Sequence, residues 1–453
     1  MDQKQSTRTK LLTDNPWSLM ISLSLPAIIG MVVIGLYNFM DAVFVGNMIG
    51  SDAMTAVKIS YPFTLINSGI STLIGVGSAS VLSRAIGKND RETVNRIMGN
   101  LVVCVAGLSV LVTAAGILFT RQLLSLAGAQ GEIMEYAVRY LRIIFIGSLF
   151  VNFAQAANMV MRGEGVMKKA MTIMGLGALM NIILDPILLS VMKTIEGAAY
   201  ATIISQFVQG CVTLWYFTKK SKNVRIGRLR LDKIILGEVL GVGVSAMLMQ
   251  VMQLVQQTVM YNVAQGYGGN EWQTVLGAAL SLQAFAFIPL WGMSQGLQPA
   301  AGTNFGAKEY SRVKKLMGVF VAGATILSLV FYLPVMLAPG VMLKLLIPDN
   351  PALVQLGTGS LRLFFSTYIT LGTMIMSITL FQSIGQGGKA ALLTILRQVA
   401  FFIPLILIVP RILPADIAVQ GVFLAPVITD LLVLALALYM VLGVFRKIMR
   451  RQK

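Results

Sequence analysis

The chain contains no histidine, so neither a Ser-His-Asp hydrolytic site nor a histidine-ligated metal can be assembled from it. Cysteine occurs only as Cys104 and Cys211, both inside apolar runs. Two such residues supply neither a disulfide framework nor a metal site, and small buried hydrophobes are the expected role. Charge is scarce as well: 12% of the residues are Asp, Glu, Lys or Arg, against 56% hydrophobic and a mean hydropathy of +0.78. No water-facing surface could be covered with that composition, which excludes a soluble domain. A phosphate-binding loop is suggested by Gly385-Gln386-Gly387-Gly388-Lys389, but Ala390 stands where Ser or Thr is required and Ser383 where the first Gly belongs. No ATP site, no enzyme and no cofactor beyond a possible Na+ are expected.

What the chain has in abundance is apolar segments of 18 residues or more, each able to cross a hydrocarbon core of about 30 Å. Segments of this length, rich in Gly, Leu and Met, argue for helices over barrel strands. Twelve spans are expected, at about 17–48, 54–82, 95–120, 133–160, 165–191, 195–217, 235–265, 272–301, 313–338, 352–382, 390–410 and 417–443. The formal charge of +18 would suit a nucleic-acid binder, yet the basic residues sit in loops with no aromatic-interleaved groove, so nucleic acid is not a partner. They concentrate in the even-numbered connections, above all in Lys219, Lys220, Lys222, Arg225, Arg228, Arg230 and Lys233. The positive-inside rule then puts both termini in the cytoplasm of a protein of the inner (plasma) membrane, with its basic loops also meeting anionic lipid. The N-terminus leads into a segment too long for a signal peptide and is expected to be retained.

The basic linker lies near the midpoint, and the sequence repeats across it. Gly77, Gly87, Val94 and Met98 recur as Gly296, Gly306, Val313 and Met317 at an offset of 219; Gly165, Lys169 and Ala170 recur as Gly385, Lys389 and Ala390 at 220. An even number of spans per repeat makes the two copies parallel. The expectation is an all-α polytopic membrane protein of twelve transmembrane helices: a first six-helix lobe over 1–217, a linker over 218–234, a second lobe over 235–453, and a central cleft.

Against that apolar background the polar residues stand out. Asp41 lies in the first span, where a charge at the bilayer centre costs about 2.5 kcal/mol or more, and Tyr37 shares its helix face. Asn181 and Asp185 repeat the spacing in the fifth span, with Pro186 next, and Thr202 and Gln206 repeat it in the sixth. Packed together, Asp41, Asp185, Asn181 and Thr202 would form an oxygen-rich cluster able to hold a proton or a sodium-type cation, since two close carboxylates cannot both ionise cheaply. Asn152, Gln155 and Asn158 form a polar stripe expected to face the cleft or the acids. The second lobe offers Gln250, Gln253, Gln256, Gln257 and Gln283 instead of acids, as substrate contacts or as interhelical glue. Pro26 marks a hinge or a static kink in the first span. The 27 methionines suit varied apolar ligands as well as ordinary packing. Asp430 aligns through the repeat with Gln206, and an ion pair with Arg397 is the first reading there.

Tyr37-Asn38 with Asp41 and Phe44-Val45-Gly46, Gly75 to Gly87 with Ser83-Arg84, Asn181-Ile-Ile-Leu-Asp185-Pro186, and Leu396-Arg397-Gln398 with Pro404 together resemble the multidrug and toxic compound extrusion (MATE) family, most closely its prokaryotic DinF-like branch. The resemblance implies two pseudosymmetric lobes, alternating access, and export of cationic amphipathic compounds by antiport with H+ or Na+. Carried over by position, it implies that Asp41, Asn181, Asp185 and Thr202 form the ion site, that Tyr37 and Asn158 belong to its polar surroundings, and that the first helix can bend at Pro26. Some branches carry an acid in the seventh or eighth helix; here only Glu271 falls between 250 and 300, in an expected loop, so a second-lobe ion site is in doubt. A monomeric drug/cation antiporter is the reading. The alternatives are a flippase for lipid-linked oligosaccharide precursors and a non-transporting receptor or scaffold.

Overall fold

The computed structural model describes residues 3–450 apart from positions 222 and 349. Lys222 of the basic linker and the side chain of Asn38 lie outside what is described. A short helix α1 (Gln3–Thr13) precedes α2 (Pro16–Met48), α3 (Ser51–Lys88), α4 (Arg91–Leu126), α5 (Gly131–Ile146), α6 (Ser148–Gly163), α7 (Met167–Met192) and α8 (Glu196–Trp215). The second half holds α9 (Lys233–Gly306), α10 (Tyr310–Leu337), α11 (Pro339–Leu346), α12 (Pro351–Phe365), α13 (Tyr368–Ser383), α14 (Gly387–Ile395), α15 (Phe402–Ile412) and α16 (Gln420–Arg450). Each expected span coincides with a helix, an arm of one, or a pair of helices.

The polar residues between spans start the helices. Asn15 accepts from the Trp17 amide (2.9 Å) with Pro16 behind it, Asp90 from Thr93 (3.1 Å), Asp232 from Ile234 (3.0 Å) and Asn350 from Leu353 (3.1 Å). Each satisfies a backbone donor that a helix leaves open at its N-terminus.

The sequence missed where spans bend. The fourth is two helices, α5 and α6, meeting at Gly147 with a 56° bend, and the eleventh carries a π turn at Leu396–Ala400. The seventh and eighth spans have no loop between them: helix runs through 233–306 except at Gly269, whose φ of 64° and ψ of −161° break it into two arms. The Tyr261 hydroxyl reaches Gly277 across this break. On a straight helix residues that far apart in sequence would be about 24 Å apart, so the arms fold back on each other. Glu271, expected in a loop, therefore lies in the opening turn of the second arm, exposed.

The halves meet mainly through α3 and α9. Both are lined with small residues at this seam, and α3 is mostly buried inside the protein, whereas α2, α4 and α7 turn much of their surface outward. Without a hydrophobic drive between helices in lipid, close backbone approach between small residues is what holds such a seam. A Cβ on Gly87 would collide with the Thr303 carbonyl oxygen, and one on Gly306 with the Arg84 carbonyl oxygen. Arg84 and Thr303, like Gly87 and Gly306, are repeat partners, so the contact is the same one made twice about a pseudo-two-fold axis. Cross-seam hydrogen bonds join it: Gln298 Nε2 to Val76 O (3.1 Å), Arg162 Nη1 to Gln295 Oε1 (3.0 Å) and Thr72 Oγ1 to Gln250 Oε1 (3.2 Å).

Candidate functional site

α7 is flanked by α2 on one side and α8 on the other. It carries Asn181 and Asp185 one turn apart on one face, with Pro186 removing the amide that would otherwise bond the Ile182 carbonyl. From α2 comes Asp41, whose carboxyl lies within hydrogen-bonding reach of that of Asp185. Asp185 and Asn181 are buried; Asp41 is half-buried. The Asn181 amide meets α8 at Thr202 Oγ1 (3.3 Å), and in the orientation that satisfies both neighbours its nitrogen donates to Asp185 Oδ2 (3.1 Å) while its oxygen accepts from Thr202. Four of the residues expected at an ion site are thus brought together.

Ionised carboxylates only accept hydrogen bonds, so two of them in contact require a proton or a cation between them. Asp41 Oδ1, Asp185 Oδ1 and, one turn beyond Thr202 on α8, Gln206 Oε1 are buried oxygens without a hydrogen-bond partner among the described residues. Lone pairs left open in this way suit an ion that binds oxygen. The phenols of Tyr37 on α2 and Tyr140 on α5 lie within electrostatic reach of both acids. Tyr140 was not foreseen: a tyrosine in an apolar helix is an ordinary feature of membrane helices, and only folding reveals its neighbours.

The polar stripe of the fourth span lies elsewhere than expected. Asn152 donates to Asn67 Oδ1 (3.2 Å) on α3 and Ser109 Oγ (3.1 Å) on α4, Gln155 accepts from Ser71 Oγ (2.9 Å) on α3, and Asn158 donates to the Ala170 carbonyl (2.7 Å) on α7. Asn152 and Asn158 are wholly buried. These amides fasten α6 to three neighbours within the first half instead of facing an open cleft, the use such groups find where small residues bring helices close. Of the α9 glutamines, Gln250 crosses to Thr72, Gln256, Gln257 and Gln283 are half-buried and Gln253 is exposed. Arg397 Nε donates to Asp430 Oδ1 at 2.8 Å, so that pair exists. Pro26 lies within the continuous helix α2.

A polytopic helical bundle of two repeated lobes, with a linked acid cluster inside one of them, has the build of a secondary membrane transporter. The MatE family model matches residues 26–187 and again 245–408, reproducing the offset of the internal repeat, and the chain belongs to this MATE family. It is similar to the multidrug export protein MepA of Staphylococcus aureus (strain N315), 26% identical over 392 residues and 86% of each chain. MepA of Staphylococcus saprophyticus is 26% identical over 383 residues and 84% of each. Among solved structures it is similar to a MATE crystal structure in the bent conformation (TM-score 0.92, 25% identity, 98% of each chain covered). A second neighbour is a MATE crystal structure in the straight conformation (TM-score 0.91, 25% identity, 97% of this chain and 98% of that one). A third is the outward-facing conformation of a multidrug resistance MATE family transporter of the MOP superfamily (TM-score 0.91, 25% identity, 97% and 98%).

Proposed function

We propose that this chain is a secondary multidrug exporter that exchanges inward-moving H+ or Na+ for cationic amphipathic compounds, working as a monomer in the plasma membrane with both termini cytoplasmic. The relatives, named as multidrug export proteins, support drug export. The observation that carries the coupling is the Asp41–Asp185 contact, which only a proton or cation makes tolerable. Binding that ion draws α2 and α7 together; losing it leaves two like charges to repel, and so biases one lobe between two packings.

Asn181 and Thr202 orient the pair, and Tyr37 and Tyr140 lie within electrostatic reach of it. Two carboxylates, an amide and a hydroxyl are the hard oxygen ligands a sodium ion takes, and the same carboxylates serve a proton. The lobes divide at 218–234, and the half-buried glutamines Gln256, Gln257 and Gln283, with exposed Gln253, offer neutral dipoles to a cation in the cleft. Exchange requires that ion and drug favour different states or compete for one site, because tight binding without that difference shifts nothing.

The test is efflux of a fluorescent cation from proteoliposomes, driven first by a pure pH gradient and then by a pure sodium gradient. One of the two should drive efflux. Asp41→Asn and Asp185→Asn should each lower gradient-driven efflux on the order of tenfold or more, the scale seen when groups at an ion site are lost. Parent-like pumping by both variants would mean that the coupling site lies elsewhere.

A further inference from the structure

At the end of the seam where Gly87 meets Thr303, a third element joins the two halves. α1 lies across it. Arg8 donates to the Ile86 carbonyl (3.0 Å) and the Gly87 carbonyl (3.0 Å), covering the open C-terminal end of α3 in the first lobe. Three residues further on, the Leu11 carbonyl accepts from Asn304 Nδ2 (2.8 Å) at the end of α9 in the second lobe. Arg312 of α10 donates to the Asp14 carbonyl just after α1. Leu11 itself is 2% exposed.

The repeat explains why α1 fits there. Gly165 and Gly385 are repeat partners, both with φ in the left-handed region (87° and 79°), at matching corners of the two lobes. Against Gly385 lies the guanidinium of Arg84, which reaches across from the first lobe and also pairs with Glu238 of the second lobe at 3.0 Å. The repeat partner of Arg84 is Thr303, whose short side chain has no comparable reach. Against Gly165 lie instead Leu11 and Thr7 of α1. The helix therefore occupies, on the first lobe, the place that Arg84 takes on the second, and completes a pseudosymmetric closure that the repeat alone leaves open on one side.

We propose that α1 is a latch that holds this face of the molecule shut, and that it must leave its seat when the lobes part on this side. The inference rests on alternating access, and its test separates the two ideas. Spin labels at Arg91→Cys and Lys314→Cys, exposed positions just beyond the seam on α4 and α10, report the opening of this face in a Cys104→Ser/Cys211→Ser background in nanodiscs. The parent should show a short and a long distance whose proportions respond to the coupling ion. Arg8→Ala, which removes both of these charge-assisted hydrogen bonds, should raise the long-to-short ratio about tenfold or more, since the loss of even one is worth about that factor, and Arg8→Lys should lie between. Hydrogen exchange on the unmodified chain guards against a misfolded variant: amides of 3–13 should be protected, and should lose protection together with those of 84–89 under the conditions that lengthen the distance. If the parent shows both distances but Arg8→Ala leaves their ratio unchanged, or if α1 stays protected while the face opens, the latch is wrong and alternating access stands. A parent with one distance under every ion condition overturns both.

Discussion

Asn181 occupies the junction at which the acid site is either positioned or merely present. Its amide spans Asp185 and Thr202, so replacing it with alanine leaves both acids in place but frees the orientation of one. Asn181→Ala is expected to weaken the apparent affinity for the coupling ion by about 10- to 100-fold, as for other groups that orient a ligand. The measurement is the pH or sodium concentration giving half-maximal efflux, and an unchanged midpoint would reduce Asn181 to packing. Arg397 and Asp430 make the opposite case. Their 2.8 Å contact inside the second half can be structural, in which case Arg397→Met alone strands a carboxylate at a cost of about 3 kcal/mol, while Arg397→Met with Asp430→Leu recovers most of it. Thermal unfolding in detergent compares the two; a double variant no more stable than the single one would point to a functional charge. At this scale the sequence was informative where a residue is costly by itself. Asp41 and Asp185 could be found because a membrane tolerates no idle acid, whereas Tyr140 is unremarkable until folding brings it to them, and Asn152 and Asn158 look as polar when buried between helices as when facing a cleft.

Helix positions could be read because the bilayer sets their length and capping residues set their starts; bends could not. Where a helix breaks depends on what packs against it, as at Gly147 or the π turn at Leu396–Ala400. The linker between halves illustrates the same limit. Its charge marked it as a linker and nothing more, yet Val224 is fully buried, the Arg228 carbonyl lies against Gly99, and the Asp232 amide donates to Asn100 Oδ1 (3.0 Å), so it is bound along α4. Near its start, at the corner after α6, lies Glu164, 2% exposed and accepting from the Tyr216 hydroxyl (3.3 Å). Burial pushes its carboxyl from 4.5 up to about 7, against the opposing pull of Asn223, Tyr216, Lys169 and Ser221. A carboxyl with a raised native pKa binds its proton more tightly when folded. Its stabilisation is therefore complete below 4.5 and lost as pH rises through about 7. The apparent melting midpoint of the purified protein should fall across that window, and Glu164→Gln should flatten the fall. An identical slope in the variant would show that Glu164 does not set it.

For the molecule as a whole, the repeat was legible as an offset, but what the repeat does was not. Matching glycines could have marked two independent packing sites; folding shows that Gly87 meets Thr303 of the other lobe and Gly306 meets Arg84, the repeat partner of Thr303, so the duplication is also the closure. Because each contact is backbone against backbone, neither can accept a side chain without parting the lobes. Gly87→Val or Gly306→Val should disfavour this closed face by about 1–3 kcal/mol, the usual cost of overpacking. Sidedness follows from the same seam. It ends beside Lys88, Arg91 and Arg312, in connections whose basic residues favour the cytoplasm, so on the proposed orientation the closed face should be cytoplasmic and the cleft open to the exterior. In right-side-out vesicles lacking Cys104 and Cys211, an impermeant maleimide added outside should label Gln256→Cys on α9 and spare Lys10→Cys on α1. Added to inside-out vesicles it should do the reverse, and Gly87→Val should make Gln256→Cys reactive there too. Labelling of Lys10→Cys from outside would invert the assigned topology. Unchanged reactivity of Gln256→Cys in the glycine variant would show that this seam does not control access to the cleft.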